Sequence, residues 1–427
     1  MKRSNLAPAV FGQRVPRPLK NIAVMVLTIT AVFRLVACTS DPSEPTPDPS
    51  EPTPDPVAGF ETPAMLQSLA EQVILPTYQD FQQAAASLLT GATSWNDQTP
   101  ASAEWTTSRS QLQDDWRTAM TAWQEAEAML LGPAGSSLST IGGLDLRDEI
   151  YSWPTVNPCR VDQRIADEQY ADSNFFNINL VNAYGLDAME YLLFSSGTDN
   201  ACSGLASINS DGSWAALSED SINTRRAEYV LVLATELVRR ADELVALWDP
   251  SDGNFVEKLA TAGQEGSPYP DEQAAITAVF HAMFYLETSV KDAKLATPLG
   301  IIGCNEATCP EALESLHADY ALESVRANLV GFKKLLEGGQ AEGSLGFADL
   351  LIFAEHPELA TDLLTNVDNT LAVIDGMDAT AQAAIESNPD SLLAVHTSLK
   401  TVTDLLKVEV AMALFLELPQ EAANDND

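Results

Sequence analysis

The sequence predicts an all-α protein of two four-helix-bundle-like domains in series, preceded by a lipoprotein signal peptide and a proline-rich tether. Three observations lead to this fold class. Apolar residues recur at steps of three and four over long stretches, and no stretch shows the alternation typical of a strand. Hydrophobic residues make up 45% of the 427 residues, which is enough for a substantial core. A break rich in Gly, Pro, Ser and Asp, at residues 249–271, divides the helical stretches into two groups.

The first 37 residues have the layout of an export signal. They hold six basic residues and no acidic one, and they contain the apolar run Ile22–Phe33, which is shorter than the about 20 residues that usually span a bilayer. The run ends in Leu-Val-Ala before Cys38, which resembles a bacterial lipobox. We therefore expect residues 1–37 to be removed and Cys38 to be lipidated, and by the same resemblance Thr39 favours the outer membrane. An uncleaved anchor helix is the alternative.

A proline-rich linker, residues 38–61, joins this cysteine to the helical body. Residues 41–56 repeat the unit DPSEPTP twice, with a partial third copy. Proline at this density favours an extended polyproline-II path, so we expect a tether that holds the body away from a membrane. The body then divides into a first bundle at residues 62–248, the linker 249–271, a second bundle at residues 272–418 and an acidic tail at residues 419–427.

Eight stretches of the body carry the helical period. In chain order they are Met65–Leu89, Trp105–Leu131, Phe175–Phe194, Ala227–Trp248, Ala274–Leu295, Ser315–Leu336, Leu359–Ile374 and Leu392–Leu416. Four stretches fall on each side of residues 249–271, which is the basis for two bundles in series.

The charge of the chain limits its partners. Its 61 acidic and 23 basic residues give a formal net charge of −38. Binding to nucleic acid depends on clustered Lys and Arg, so nucleic acid is excluded as a partner. Electrostatic docking to anionic lipid is excluded for the same reason, which leaves the lipid anchor as the only expected link to a membrane. Cations, metal ions included, are the partners that such a surface tolerates best.

Four cysteines remain once Cys38 is assigned to the lipid. An even number in an exported protein indicates two disulfides, and the sequence allows three pairings. We favour the local pairing of Cys159 with Cys202 and of Cys304 with Cys309. A zinc cluster is disfavoured because the chain has no CxxC spacing and no His beside a Cys.

Several segments, taken in order, resemble the imelysin family of bacterial envelope proteins. They are Trp116-x6-Trp123, Ala126–Pro133, Ile150–Thr155, Gly185–Phe194, Lys294–Gly300, Glu314-Ser315 and Asn328–Phe332. The resemblance implies a two-domain helical fold and an exported protein, often a lipoprotein, that is linked to iron uptake. The founding member was described as a metallopeptidase, so peptidase activity is an alternative function.

The family's hallmark is Gly-x-His-x-x-Glu on a helix, and the resemblance implies metal binding there. The matching residues are Gly185, Asp187 and Glu190, so Asp replaces the His. Two carboxylates three residues apart share one helix face and offer only oxygen, which favours iron, manganese or calcium over zinc. Three alternatives stay open for the pair, namely a metal ion, an ion pair with Arg326 or Arg147, and a solvated helix face.

Further acidic residues complete the set of candidates. Glu314 is a third candidate metal ligand, although an acid there is equally explained by the N-terminus of the helix that follows. Glu125 and Glu127 either line a cleft or lie on an exposed face. We expect a tethered lipoprotein that binds iron, another divalent cation or an iron-carrying partner protein. A surface module whose metal site has decayed is the other non-catalytic alternative, and nothing in the sequence indicates a catalytic residue.

Overall fold

The computed structural model describes residues 56–423, and every regular element in that range is a helix. The all-α fold class is therefore confirmed. Residues 1–37, the lipidation site Cys38 and most of the linker lie outside the described residues, so these three expectations stay predictions. None of the described helices is both long and apolar enough to cross a membrane.

Two long neighbouring helices begin the body. Ser102 caps the second of them, because its side chain accepts a hydrogen bond from the Trp105 backbone N–H at 3.0 Å. The elements in this part are α1 (Thr62–Ser68), a π-helical segment π1 (Leu69–Ile74), α2 (Leu75–Asn96) and α3 (Ala103–Glu127).

A region of short helices follows and ends in the longest helix that the structure describes. The predicted helix Phe175–Phe194 is interrupted at residues 179–185, where that prediction was wrong, and Gly185, with φ of +101°, lies directly before the second helical part. The elements are the 3₁₀ turns Gly132–Ala134, Gln169–Ala171 and Val181–Ala183, together with α4 (Leu146–Ile150), α5 (Pro158–Asp167), α6 (Phe175–Ile178), α7 (Leu186–Phe194), α8 (Ser207–Ser210) and α9 (Glu219–Trp248).

The remaining helices form the second half of the body. The predicted helix Ser315–Leu336 begins only at Ala321, because Ser315 and Asp319 have positive φ angles of 48° and 51°. The elements are α10 (Phe255–Ala260), α11 (Glu272–Met283), π2 (Leu286–Ala296), the 3₁₀ turn Pro310–Ala312, α12 (Ala321–Glu337), α13 (Phe347–Phe353), α14 (Pro357–Asp375), α15 (Ala381–Ser387), α16 (Pro389–Asp404), π3 (Leu405–Val410), α17 (Ala411–Ala413) and α18 (Gln420–Ala423).

Helices from the two predicted bundles pack directly against each other. Helix α3 lies along α12, and Gly331 brings the two backbones together, since a Cβ at that position would lie 2.1 Å from the Glu125 carbonyl oxygen. Residues Pro54–Asp427 form one compact unit with a continuous hydrophobic core. The division into two domains at residues 249–271 stays a prediction.

Both predicted disulfides are present. Cys159 at the start of α5 is bonded to Cys202 in the loop after α7, and Cys304 is bonded to Cys309 in the loop after π2. The local pairing is therefore confirmed. Trp116 and Trp123 lie in the core, since neither side chain has any solvent exposure.

Candidate functional site: a buried carboxylate cluster

Six charged side chains meet in the interior between α3, α4, α7, π2 and the loop before α12. We name this group the carboxylate cluster. It contains four carboxyl groups and two cations, which are Glu127, Asp187, Glu190, Glu314, Arg147 and Lys294. The carboxyl groups are at most 5% exposed, and Lys294 has no exposure at all. Charged groups are rarely buried to this degree without a specific role or partner.

Helix α7 contributes Asp187 and Glu190, and its first turn is fixed by α3. The indole N–H of Trp116 donates to the Leu186 carbonyl oxygen at 2.9 Å. Asp187 accepts hydrogen bonds from the backbone N–H and the hydroxyl of Ser152 at 3.2 and 2.9 Å. Burial raises the pKa of Asp187 to about 7, against the opposing effect of these bonds and of the Arg147 charge.

Glu190 is held by backbone groups of the loop before α12. Its Oε1 accepts hydrogen bonds from the N–H groups of His317 and Ala318 at 2.8 and 2.9 Å. Burial, together with the nearby carboxylates of Asp187 and Glu314, raises the pKa of Glu190 to about 8, against the opposing effect of the two backbone hydrogen bonds. No side-chain cation lies within ion-pair distance of Glu190 or Asp187 among the described pairs.

Glu314 is fully buried and uses only one of its oxygens. Its Oε1 accepts hydrogen bonds from the Tyr151 hydroxyl at 2.7 Å and the Gln124 amide at 3.2 Å, and Lys294 Nζ lies at 3.0 Å. Its Oε2 is buried and has no partner. Burial raises the pKa of Glu314, and the Lys294 ammonium opposes that rise.

Glu127 lies where α3 ends and is fully buried. Arg147 donates to its Oε1 at 3.0 Å, the Tyr285 hydroxyl donates to its Oε2, and Lys294 Nζ lies 3.7 Å away. Lys294 also donates to the side-chain oxygens of Gln124 and Asn328, at 2.5 and 2.9 Å. Both cations of the cluster are therefore already bonded, Lys294 to Glu127, Glu314 and neutral oxygens, and Arg147 to Glu127, the more exposed Asp148 and a carbonyl oxygen.

The charges of the cluster do not balance. Four carboxyl groups face two cations, so with all four ionised two negative charges would remain in a region with almost no access to water. Tyr151 lies among the carboxyl groups. Its pKa is raised mainly by burial and in addition by the negative charges of all four carboxyl groups. Two protons or one divalent cation would neutralise the excess, since an unpaired buried charge costs several kcal/mol.

Two of the predicted alternatives for Asp187 and Glu190 are wrong. The solvated helix face is excluded because the side chains are 2% and 5% exposed. An ion pair with Arg326 is excluded because Arg326 bonds to Asp375 at 2.7 Å on the surface. Arg147 lies close enough to lower the pKa of Asp187 but bonds to Glu127 instead. Hydrogen bonds from Ser152 and from loop backbone groups, which were not foreseen, take the place of these partners.

The other candidates also differ from the sequence predictions. The N-terminal helix interpretation of Glu314 is wrong, because α12 begins seven residues later at Ala321. The exposed-face alternative for Glu127 is wrong, because that side chain has no exposure. Three further members of the network were missed, although each lies inside a segment that carries the family resemblance, namely Tyr151, Lys294 and Asn328.

The cluster has the chemistry of a cation site without a preformed coordination cage. The atoms of the cluster that are free to coordinate a metal ion are carboxylate oxygens, which suit hard divalent cations. Among residues 56–423, no group of three or more His, Cys, Asp or Glu side chains is placed to hold a metal ion. The excess of carboxyl groups over cations in the cluster and the unpartnered Oε2 of Glu314 fit a divalent cation. In their present rotamers, however, the side chains do not bring the ligand oxygens together at one point.

A family model for imelysin matches residues 74–408, which is most of the chain and includes every residue of the cluster. The chain belongs to the imelysin family. Iron-regulated protein A of Synechococcus elongatus is 24% identical over 363 residues, which cover 81% of this chain and 85% of that relative. This imelysin-family chain is thus related to a protein that is named for its regulation by iron.

Two solved structures share the fold of this imelysin-family member. An imelysin-like protein from Psychrobacter arcticum 273-4 has a TM-score of 0.62 at 16% identity, covering 84% of this chain and 97% of its own. A putative iron-regulated protein A precursor from Parabacteroides distasonis has a TM-score of 0.60 at 19% identity, covering 85% and 97%. At these identities the likeness establishes the all-helical fold.

Proposed function

We propose that this imelysin-family protein is an envelope lipoprotein that binds a divalent cation, iron in the first place, in the carboxylate cluster. The observation that carries the proposal is the charge imbalance, in which four buried carboxyl groups face two cations. A divalent cation supplies the two positive charges that the cluster lacks. The iron-related name of the relative supports iron as the first candidate.

Asp187, Glu190 and Glu314 are the proposed ligands. Asp187 and Glu190 lack a cation partner, and Glu314 has an unpartnered oxygen. When bound, the ion would supply only charge neutralisation, and the protein residues would hold it. Side-chain rotation has to bring the three groups together, because they are not arranged around one point. All donors are oxygen, so iron, manganese and calcium are favoured over zinc.

The cellular role that we propose is capture of the cation, or of an iron-carrying partner protein, for uptake. Lipidation at Cys38 would anchor the protein to the outer membrane, and the tether would let the body reach a partner in the surrounding space. No catalytic step is assigned to the protein.

Elemental analysis and calorimetry on residues 54–427, the compact unit of the structure, test this function. Wild type is titrated with Fe²⁺ without oxygen and with Mn²⁺, Ca²⁺ and Zn²⁺. The test variant is Asp187→Asn/Glu190→Gln, which keeps the side-chain shapes and removes the two excess charges. We expect one ion per wild-type chain, an order of preference with Zn²⁺ behind Fe²⁺ and Mn²⁺, and at least a hundredfold loss of affinity in the variant.

A matched control separates the cluster from the general acidity of the chain. Glu358→Gln/Asp362→Asn removes the same two charges from an exposed face of α14, where neither side chain has a described ion pair. This control should bind as wild type does. Absence of binding in wild type, or equal loss of affinity in the two variants, would refute the proposed function.

A further inference from the structure

The structure has a cavity directly outside the carboxylate cluster. It has a volume of about 330 Å³ and opens to the surface between the end of α3, α4 and π2. Its wall includes Asp145, Arg147, Trp153, Tyr285 and Ser289. No residue of the cavity wall is one of the proposed ligands, so the cavity is a separate space from the proposed binding site.

Arg147 and Tyr285 form the partition between this cavity and the cluster. Both side chains line the cavity, and both bond to Glu127 on their inner side. The other two nitrogens of the Arg147 guanidinium bond to groups nearer the surface, which are the Asp148 carboxylate at 3.0 Å and the Trp153 carbonyl oxygen at 3.0 Å. Arg147 is thus bonded to the cluster on one side and to the cavity rim on the other.

The cavity has the size and charge to hold a hydrated divalent cation. At about 30 Å³ per water molecule, an ion with six waters occupies roughly 200 Å³, which fits within the observed volume. Asp145 and Asp148 line this space, and hydrogen bonds from Ser137 lower the pKa of Asp145, so its carboxylate stays charged. Arg147 is the only cation in the wall, and it is already bonded to two carboxylates.

The outer partner of Arg147 can release it at low cost. Asp148 is 53% exposed, whereas Glu127 on the inner side has no exposure. Water can replace Arg147 as the partner of the exposed Asp148 carboxylate, and loss of this ion pair leaves Arg147 held mainly by Glu127 and the Trp153 carbonyl. Rotation of the guanidinium away from the Trp153 carbonyl would then join the cavity to the cluster.

We propose that this cavity is the access route by which a hydrated divalent cation reaches the carboxylate cluster, and that Arg147 is its gate. The ion leaves its water in the cavity and passes the guanidinium to reach the buried oxygens. Since this inference rests on the proposed function, its test has to separate the route from the binding site itself.

Blocking the cavity with a covalent label provides such a test. Ser289 lines the cavity, is half-buried and has no described hydrogen bond, so Ser289→Cys places a thiol there with little change in shape. All four cysteines of residues 54–427 are in disulfides, so this thiol is the only free one. The variant is labelled either with a bulky aromatic maleimide or with methyl methanethiolsulfonate, which adds only a small group. Mn²⁺ uptake is followed by stopped-flow quenching of tryptophan fluorescence, and affinity by calorimetry.

We expect the bulky label to slow both uptake and release of Mn²⁺ at least tenfold while the dissociation constant stays within twofold of wild type. The small label should change neither. Ser108→Cys on α3 is the matched control, because Ser108 is similarly exposed and lies outside the cavity wall. Ala293→Cys, on the same wall, is a second variant that should behave as Ser289→Cys does.

The outcomes distinguish the route from the function. Unchanged uptake rates in both labelled wall variants would overturn the access route and leave cation binding intact. Loss of affinity without slower uptake would also overturn it, since the label would then disturb the site and not the path. If unlabelled wild type takes up no Mn²⁺ and no Fe²⁺, the proposed function fails, and the access route fails with it.

Discussion

Glu190→Gln should make the protein more stable at pH 8 while changing its stability little at pH 5. The substitution keeps the oxygen that accepts hydrogen bonds from the His317 and Ala318 N–H groups. It removes the need to ionise a side chain that is 5% exposed. Most substitutions of buried residues destabilise a protein, so a gain in stability that depends on pH would be an unusual result.

The magnitude follows from the raised pKa. The carboxyl of Glu190 has a pKa of about 8 in the folded protein, against its ordinary value of 4.5. The folded state therefore holds a proton that the unfolded state has lost. The resulting stabilisation is fully present below the pKa that Glu190 has in the unfolded chain. It is lost as the pH rises through the pKa that Glu190 has in the folded protein. At about 1.4 kcal/mol per pH unit, wild type loses roughly 3 kcal/mol through Glu190 between pH 5 and pH 8.

Urea unfolding followed by circular dichroism at both pH values measures this difference, with a chelator present to exclude metal binding. The unfolding free energy of Glu190→Gln, minus that of wild type, should be roughly 3 kcal/mol larger at pH 8 than at pH 5. Glu358→Gln, on an exposed face of α14, serves as the control and should show a difference that does not change with pH. Identical pH dependence in wild type and Glu190→Gln would refute the reasoning.

Three further substitutions test other contacts of the site. Lys294→Met should destabilise the protein by about 3–5 kcal/mol in urea unfolding, because it removes a positive charge that pairs with the buried carboxylates of Glu127 and Glu314. Gly331→Ala should cost about 1–3 kcal/mol in the same assay, since the new Cβ would overlap the Glu125 backbone, and an unchanged midpoint would contradict the close approach. Cys159→Ser/Cys202→Ser opens a bridge between residues 43 apart and should cost about 4 kcal/mol in thermal unfolding, whereas a loss below about 1 kcal/mol would contradict its stabilising role.

The helical fold could be predicted because the apolar period is a local property of the sequence. The same reasoning failed at Gly185 and at Ser315, where positive φ angles end or delay a helix that the apolar pattern extends. Both breaks matter for the site, since one fixes the start of α7 and the other leaves Glu314 in a loop. Backbone conformation at single residues is set by tertiary contacts, which the period does not report.

The site was predicted only in part. Asp187 and Glu190 could be placed on one face of one helix, because three residues of spacing determine that. Their partners could not be deduced, since Ser152 and the loop N–H groups meet them only after α4, α7 and the loop before α12 have packed together. The pairing of Glu127 with Arg147 was missed for the same reason.

The most direct test of the central claim is the number of protons released when the cation binds. Without a cation, the two excess carboxyl groups of the cluster have to hold protons in order to stay buried, and a bound divalent cation replaces them. Mn²⁺ is added to residues 54–427 at pH 6 in weak buffer, and the released protons are titrated. Wild type should release close to two protons per bound ion, and Asp187→Asn/Glu190→Gln should release none. Binding of Mn²⁺ by wild type without proton release would contradict exchange at the carboxylate cluster.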